Sequence, residues 1–206
     1  MTAADPRLER WLEALVDAPG LTAVRDLAEA RRVHVEDALA AASLVLEGPV
    51  VDVGSGGGSP GIPIAAARSE LQVDLLEAQR RKCSFLASAS AGFSNVDVIC
   101  ARAEEHGRGA GREAYGTAVA QALAPPPVAL EWCLPLVRRG GRVILLAGEV
   151  DLERAAAASA EVGGGAPEVL ALPGAERRQL LVVAKVGPTP ERFPRRPGVA
   201  RKRPLA

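Results

Sequence analysis

A glycine-rich loop after a short run of branched apolar residues carries the clearest chemical signature in the chain. Val50–Val53 has the composition of a buried strand, and residues 54–61 contain five glycines in eight positions. Glycine allows positive φ angles and lets a ligand approach the main chain closely, as nucleotide-binding loops require. A plain tight turn is the simpler interpretation, but it does not need so many glycines. We therefore predict a ligand-binding loop between a strand and a helix.

Two other enzyme motifs match the same loop. Residues 57–61 fit the hydrolase pattern G-x-S-x-G with Ser59 as the nucleophile. That pattern uses the backbone N–H of the next residue in the oxyanion hole, and Pro60 has none. The dinucleotide pattern G-x-G-x-x-G also fits, beginning at Gly56. We find no convincing hydride-transfer residues to accompany it, so dinucleotide binding is kept only as an alternative.

Two acidic residues at predicted strand ends favour a third interpretation. Asp52 begins the pattern acid-x-Gly-x-Gly-x-Gly, and Glu77 ends the next strand. In enzymes that use S-adenosylmethionine, the first acid receives the methionine ammonium group directly or through water, and the second holds the ribose hydroxyls. The glycines make room beneath the amino-acid part of the cofactor. We predict an S-adenosylmethionine site formed by these two acids with Gly54, Gly56 and Gly58.

Strands alternate with helical segments after an N-terminal part that is helical throughout. This alternation predicts an α/β fold with a mostly parallel sheet and helices on both faces. Helices are predicted around Trp11, which Pro19-Gly20 ends, and at residues 27–46, 62–68, 79–91, 128–137 and 151–162. Strands are predicted at residues 50–53, 71–76, 96–100, 117–120, 142–146 and 180–186, with a weaker one at 168–172 that forms an antiparallel hairpin around Pro173-Gly174. We divide the chain into a helical extension (1–48), a sheet domain (49–187) and a basic tail (188–206).

The charged and sulfur-containing residues exclude several other classes of protein. The formal net charge is zero, yet residues 192–203 contain six basic residues and no acidic one. The cysteines, Cys83, Cys100 and Cys133, form no C-x-x-C pair, so we expect buried free thiols and neither a disulfide nor a zinc site. The two histidines are too far apart for a metal site. Apolar runs fall short of the roughly 18 residues of a membrane span and no signal segment is present, so we expect a cytoplasmic protein.

The chain resembles the bacterial guanine-N7 methyltransferases of 16S rRNA, also called glucose-inhibited division protein B. The loop DVGSGGGSPGIPI, from Asp52 to Ile64, is nearly the family signature, and its prolines make it specific. The resemblance implies a Rossmann-like methyltransferase fold with a seven-stranded, mostly parallel sheet and an N-terminal helical extension. It also implies cofactor contacts at four positions: Gly54, Ser59, Ala103 and Glu104. Further matching segments are residues 21–26, 34–39, 75–86, 102–105, 131–141 and 193–198.

Four residues depart from the family pattern. Gln121 stands where the family usually has Arg, and Ala147 where it has Lys. Ser59 occupies a position that is usually Phe or Leu, and Gly20 one that is usually Asn. The first two changes remove positive charges near the expected cofactor and substrate pocket, where Gln121 is still expected to contact the cofactor. The alternative function is therefore a divergent paralogue that binds S-adenosylmethionine and methylates a small molecule or has lost turnover.

The resemblance implies methylation of N7 of a guanine in 16S rRNA. Guanine N7 carries a lone pair and loses no proton on methylation, so we assign no catalytic residue. The partner is expected to be 16S rRNA or the small ribosomal subunit, without metal or membrane, and the chain is expected to be a monomer. We expect the tail to bind RNA away from the glycine-loop side of the sheet, with Arg201 a further basic candidate in it. The predicted RNA contacts are His34, Arg195, Arg196, Lys202 and Arg203.

Overall fold

One mixed sheet forms the centre of the molecule. The computed structural model describes residues 5–172, 175 and 178–206, and within them seven strands lie in the order β3-β2-β1-β4-β5-β7-β6. The strands β1 to β5 run parallel, whereas β7 is antiparallel to both of its neighbours. The seven-stranded, mostly parallel fold is confirmed. The strands are β1 Val50–Val53, β2 Val73–Glu77, β3 Val96–Cys100, β4 Tyr115–Gln121, β5 Val137–Ala147, β6 Glu168–Ala171 and β7 Gln179–Ala184.

The N-terminal helices cover one face of the sheet. Helix α1 is Pro6–Asp17, whose Leu8, Trp11, Leu12 and Leu15 form one buried stripe. The single helix predicted at 27–46 is present as three consecutive pieces. A π-helical turn interrupts it near His34, and the last piece ends before the predicted boundary. The pieces are α2 Leu27–Arg31, the π turn Arg32–Glu36 and α3 Asp37–Ala42.

The other helices connect the strands, mostly as the sequence predicts. The helix predicted at 128–137 begins earlier, because prolines suit a first helical turn, and it ends at Cys133. A 3-10 turn of Leu134–Leu136 then leads into β5. Strand β5 is longer than predicted and passes through Gly140, whose φ of +90° suits only glycine. Two short helices, α6 and α9, were not predicted. The helices are α4 Gly61–Ala67, α5 Arg80–Ala89, α6 Ala103–His106, α7 Pro126–Cys133, α8 Leu152–Glu161 and α9 Val199–Lys202.

Alternate strand residues point to two separate hydrophobic cores. Val50 packs into the core beneath α1, α3, α4 and α5, whereas its neighbour Val51 packs into the core beneath α7 and α8. Phe193 and Ala200, from the predicted basic tail, belong to this second core and are about 1% exposed. The tail is therefore folded onto the sheet domain.

The prediction of three free thiols is wrong for two of the cysteines. Cys83 in the first turn of α5 and Cys100 at the end of β3 form a disulfide with a Cα–Cα distance of 5.8 Å. The parallel pairing of β2 with β3 brings these positions together, and Cys100 is exposed, not buried. Cys133 is a buried free thiol, as predicted, and burial raises its pKa.

The antiparallel pairing of β6 with β7 confirms the predicted hairpin, although Pro173-Gly174 lies outside the described residues. The helices that the structure describes include none long and apolar enough to cross a membrane. Over residues 5–172, 175 and 178–206, no three His, Cys, Asp or Glu side chains are grouped so that they could hold a metal ion.

Candidate cofactor and acceptor cavities

Two cavities open side by side at the carboxyl ends of the parallel strands. The order β2-β1-β4 reverses at β1, and ligands of open α/β sheets bind at such a switch point. The first cavity, of about 420 Å³, lies over the ends of β1, β2 and β3. The second, of about 510 Å³, lies over the ends of β4 and β5. Ala122 and Leu123 line both, so the two cavities share a wall directly after β4.

The glycine loop forms one side of the first cavity. Gly54 lines it with a φ of +72°, and a Cβ added there would lie 2.4 Å from Leu123 Cδ1. A Cβ at Gly61 would lie 2.8 Å from Asp52 Oδ2, so glycine is required for α4 to pack this closely on β1. Gly56, Gly58 and Ser59 do not line this cavity. Their contacts instead hold the loop in place, with Gly56 bonded to Glu77, Gly58 packed on Ile62 and Ser59 bonded to Gln121.

Asp52 lies beneath the loop and not in the first cavity. Its side chain is wholly buried, and its Oδ2 accepts a hydrogen bond from the backbone N–H of Gly61 at 3.1 Å. Its Oδ1 is buried without a partner among the described residues. Burial raises the pKa of Asp52 to about 7, and the nearby Glu77 carboxylate acts in the same direction. In this arrangement Asp52 cannot contact the methionine ammonium group of the cofactor directly. The predicted contact would therefore have to pass through a water molecule.

Glu77 faces the first cavity from the end of β2. Its Oε2 accepts from the backbone N–H of Gly56 at 3.0 Å, and its Oε1 accepts from the N–H of Gln79 at 2.8 Å. Each carboxylate oxygen keeps a second lone pair that can accept a ligand hydroxyl. Glu77 thus holds the glycine loop and presents acceptors to the cavity at the same time.

Residues after β3 and residues of the tail form the opposite side of the first cavity. Ala103 and Glu104 line it as expected, together with Gly198 and Arg201 from the tail. The backbone N–H of Gly198 donates to Glu104 Oε1 at 3.1 Å. The expectation that the tail lies away from the glycine-loop side is therefore wrong. Phe193 and Ala200 anchor this segment in the core, which a basic composition does not reveal.

Ser59 and Gln121 meet at the wall of the second cavity, which Gln121 lines, and Gln121 does not line the first. Ser59 Oγ lies 2.8 Å from Gln121 Oε1 and 2.9 Å from the carbonyl oxygen of His34. Gln121 Nε2 donates to the carbonyl of Val33 at 3.1 Å. The π turn presents both carbonyls, and such turns are frequent at functional sites. These contacts join the glycine loop, β4 and the N-terminal extension.

His34 is held inside this junction. Its Nε2 lies 2.9 Å from Thr22 Oγ1, and its Nδ1 is buried without a partner among the described residues. Burial lowers the pKa of His34, which favours the neutral ring. A neutral, half-buried imidazole is a poor phosphate ligand, so its predicted RNA contact gains no support from the geometry.

The second cavity is mostly apolar and is also lined by the ion pair of Arg178 with the buried Asp37. Alanine, leucine and proline side chains form most of its wall, including Ala147 at the end of β5. Arg178 Nε lies 2.9 Å from Asp37 Oδ2, and the Asp37 side chain is about 5% exposed. Burial raises the pKa of Asp37, although the neighbouring Arg178 opposes this shift. The cavity therefore suits an uncharged group that has a few polar atoms.

Comparison with known proteins decides the family. The profile of the GidB family, described as rRNA small subunit methyltransferase G, matches residues 6–182. Ribosomal RNA small subunit methyltransferase G of Moorella thermoacetica is 41% identical over 198 residues, which covers 90% of this chain and 82% of the relative. The protein of the same name from Chloroflexus aggregans is 37% identical, with 97% and 89% covered. The chain belongs to this family.

Solved structures agree on the fold of this GidB family member. A predicted O-methyltransferase from Agrobacterium tumefaciens superposes with a TM-score of 0.59 at 21% identity, covering 72% of this chain and 80% of that one. At this identity the similarity concerns the fold alone. It is the fold of methyltransferases, as the alternation of strands and helices and the loop motif predicted.

The tail of this GidB family member divides into engaged and exposed basic residues. Arg195 Nε donates to Glu131 Oε1 at 2.7 Å, and Glu131 is 1% exposed. Arg195 is therefore held in an ion pair with a buried carboxylate, and its RNA contact stays a prediction. Arg196, Lys202 and Arg203 are exposed, and their RNA contacts stay a prediction.

Several residues that line the cavities were not singled out from the sequence. Arg178 and Asp37 meet only in the folded chain, where Arg178 directly precedes β7 and Asp37 begins α3. Trp132 lines the first cavity from α7, inside a segment noted only for its resemblance to the family. The pairing of Arg201 with Trp132 had no local signal, since 69 positions of sequence separate them.

Proposed function

We propose that this chain transfers the methyl group of S-adenosylmethionine to N7 of a guanine in 16S rRNA. The observation that carries the proposal is the wall of Ala122 and Leu123 that the two cavities share. Because both cavities are lined by Ala122 and Leu123, a cofactor in the first cavity and a nucleobase in the second would lie next to each other beside these residues. Membership of the GidB family supports the same reaction and substrate class.

The first cavity suits the cofactor. Its volume of about 420 Å³ falls within the roughly 300–1,000 Å³ of small-molecule sites. The space beside Gly54 is one that a larger side chain would fill, and Glu77 offers acceptors for ribose hydroxyls. Ala103 and Glu104 would contact the adenine end. When bound, S-adenosylmethionine supplies an electrophilic methyl group on a positively charged sulfur.

The second cavity suits a methyl acceptor that needs no general base for its methylation. Guanine N7 attacks with a lone pair that is already free, so the protein only has to align it with the methyl group. Such alignment supplies roughly 7–11 kcal/mol of barrier lowering. Asp37 is paired with Arg178, and Gln121 with Ser59 and Val33, so these polar groups are held for positioning. An oxygen acceptor would require a proton acceptor at the shared wall.

A guanine reaches this cavity only as an unstacked nucleotide of folded RNA. The exposed Arg196, Lys202 and Arg203 lie on the tail beside the first cavity, where they would contact phosphates. The proposal places the protein in the cytoplasm with the ribosome, acting as a monomer.

The test is a methylation assay with S-adenosylmethionine labelled in the methyl group. Small ribosomal subunits and free 16S rRNA from cells that lack this modification are the substrates. We expect label in N7-methylguanosine, whose position strand scission at the modified base identifies. Label in another nucleoside would overturn the acceptor. Cofactor binding with no label in either RNA would indicate the paralogue that acts on a small molecule or has lost turnover.

Glu77→Gln provides the matched variant for the cofactor. It removes a charge that accepts two backbone hydrogen bonds and faces the cavity, so affinity for S-adenosylmethionine should fall by about tenfold. The control is Glu153→Gln, an exposed residue of α8, which should bind as the wild type does. Equal affinity in both variants would remove Glu77 from the proposed cofactor site.

A further inference from the structure

The segment 193–203, which we name the C-terminal strap, is fixed to the protein before and after the residues by which it lines the first cavity. Phe193 is buried, and its carbonyl accepts from Arg112 Nη1 at 2.7 Å. The ion pair of Arg195 with the buried Glu131 holds the next turn, and Arg195 Nη2 also donates to the carbonyl of Arg203 at 2.7 Å. The strap thus has a defined path and is more than a solvated terminus.

Between these anchors the strap contributes two residues to the wall of the first cavity. Gly198 has a φ of +80° and directs its N–H to Glu104 Oε1, which orients a carboxylate that also lines the cavity. Arg201 lies on α9, which follows Gly198 directly, and its guanidinium Cζ is 5.2 Å from the centre of the Trp132 ring. Arg201 Nη2 donates to the carbonyl of Leu123 at 3.3 Å.

The position of Arg201 indicates which part of a ligand it meets. Arg201 lies beside Trp132, which lines the first cavity. Gly198, three residues before Arg201, binds Glu104 in α6, the helix that follows β3. A planar guanidinium that rests on an indole can stack on a flat aromatic ligand and donate to its ring nitrogens. Arg201 is itself exposed, so one of its faces is available to a ligand.

We propose that the C-terminal strap is part of the cofactor site and that Arg201 binds the adenosine end of S-adenosylmethionine. This inference rests on the proposed cofactor and adds a residue and a chain segment to its binding. The strap closes the side of the cavity that the glycine loop leaves open, and Glu104 is oriented by the strap before it meets the ligand. Because adenosine is common to the cofactor and its product, Arg201 contributes equally to both.

Isothermal titration of S-adenosylmethionine and S-adenosylhomocysteine into Arg201→Ala tests the proposal. Affinity for both ligands should fall by about tenfold. Arg201→Lys keeps the charge but not the planar stacking group, so it should recover only part of this loss. The matched control is Arg139→Ala, because Arg139 is an exposed arginine of β5 that does not line the cavity. It should bind both ligands as the wild type does.

Two results would overturn the proposal. Arg201→Ala could bind both ligands within twofold of the wild type. Alternatively, it could bind S-adenosylmethionine more tightly while S-adenosylhomocysteine is unchanged, which would mean that Arg201 only repels the sulfonium charge. Urea unfolding midpoints establish that each variant is folded. If Arg201→Ala does not fold, the affinity of Arg201→Lys for the two ligands decides whether the proposal holds. If the wild type binds neither ligand, the proposed function itself fails, which is a different outcome.

Discussion

Replacing Asp52 with asparagine should change how the free energy of unfolding depends on pH. In the folded protein burial raises the pKa of Asp52 from its ordinary value of 3.8 to about 7. Between these two values the folded state binds a proton that the unfolded state has released. The free energy of unfolding that this carboxyl contributes is therefore complete below about pH 4 and is lost as the pH rises through 7.

The size of the effect follows from the shift. A difference of about three pKa units corresponds to roughly 4 kcal/mol, of which about 2.5 kcal/mol falls between pH 5 and pH 8. The variant has no carboxyl at this position, and its side-chain oxygen can still accept from the N–H of Gly61. The substitution would also bury an amide near the place where Oδ1 of Asp52 has no partner among the described residues, which lowers stability equally at every pH.

Urea unfolding of both proteins at pH 5 and at pH 8 gives the required double difference. Wild type should lose about 2.5 kcal/mol relative to Asp52→Asn between these two conditions. Glu153→Gln, exposed on α8, should follow the wild type at both. A double difference below about 0.5 kcal/mol would mean that Asp52 is ionised in the folded state throughout, and the reasoning from burial would be refuted.

Two further predictions concern the disulfide and the tail. Reduction of Cys83–Cys100, which spans 17 positions, should lower the free energy of unfolding by about 3 kcal/mol, and Cys83→Ser should abolish the response. Thiol titration of the denatured, unreduced protein should detect Cys133 alone, and a titre of three thiols would contradict the bond. Changing Arg196, Lys202 and Arg203 together to Ala should make RNA binding less dependent on salt. The slope of log K against the logarithm of the salt concentration should fall in magnitude by somewhat under one for each phosphate contact that is lost. An unaltered slope would exclude these residues from the RNA interface.

The fold could be predicted because its signals are local. The alternation of strand and helix patterns, and the glycines after Val50–Val53, are visible in short windows of sequence. A strand-end acid is also visible, but its orientation is not. Asp52 lies one residue before the end of β1, and Glu77 ends the neighbouring β2. Only Glu77 lines the cavity, because α4 packs over Asp52 through Gly61.

The parts that could not be predicted depend on contacts between distant positions. Arg195 meets Glu131 across 64 positions, and this pair converts a run of basic residues into a folded strap. Cys83 and Cys100 meet because β3 pairs with β2. Phe193 was the available sign that the tail is buried, but a single aromatic residue does not identify the surface on which it packs.

The hydrogen bond between Ser59 and Gln121 bears on how well replacements at the two positions are tolerated. The two side chains are in direct contact, with Ser59 Oγ 2.8 Å from Gln121 Oε1. A larger apolar residue at 59 would leave Gln121 Oε1 without this donor. Ser59 does not depend on Gln121 in the same way, since the carbonyl of His34 is a second acceptor. Replacing Ser59 alone with a larger apolar residue should therefore be harder to tolerate than replacing Gln121 alone.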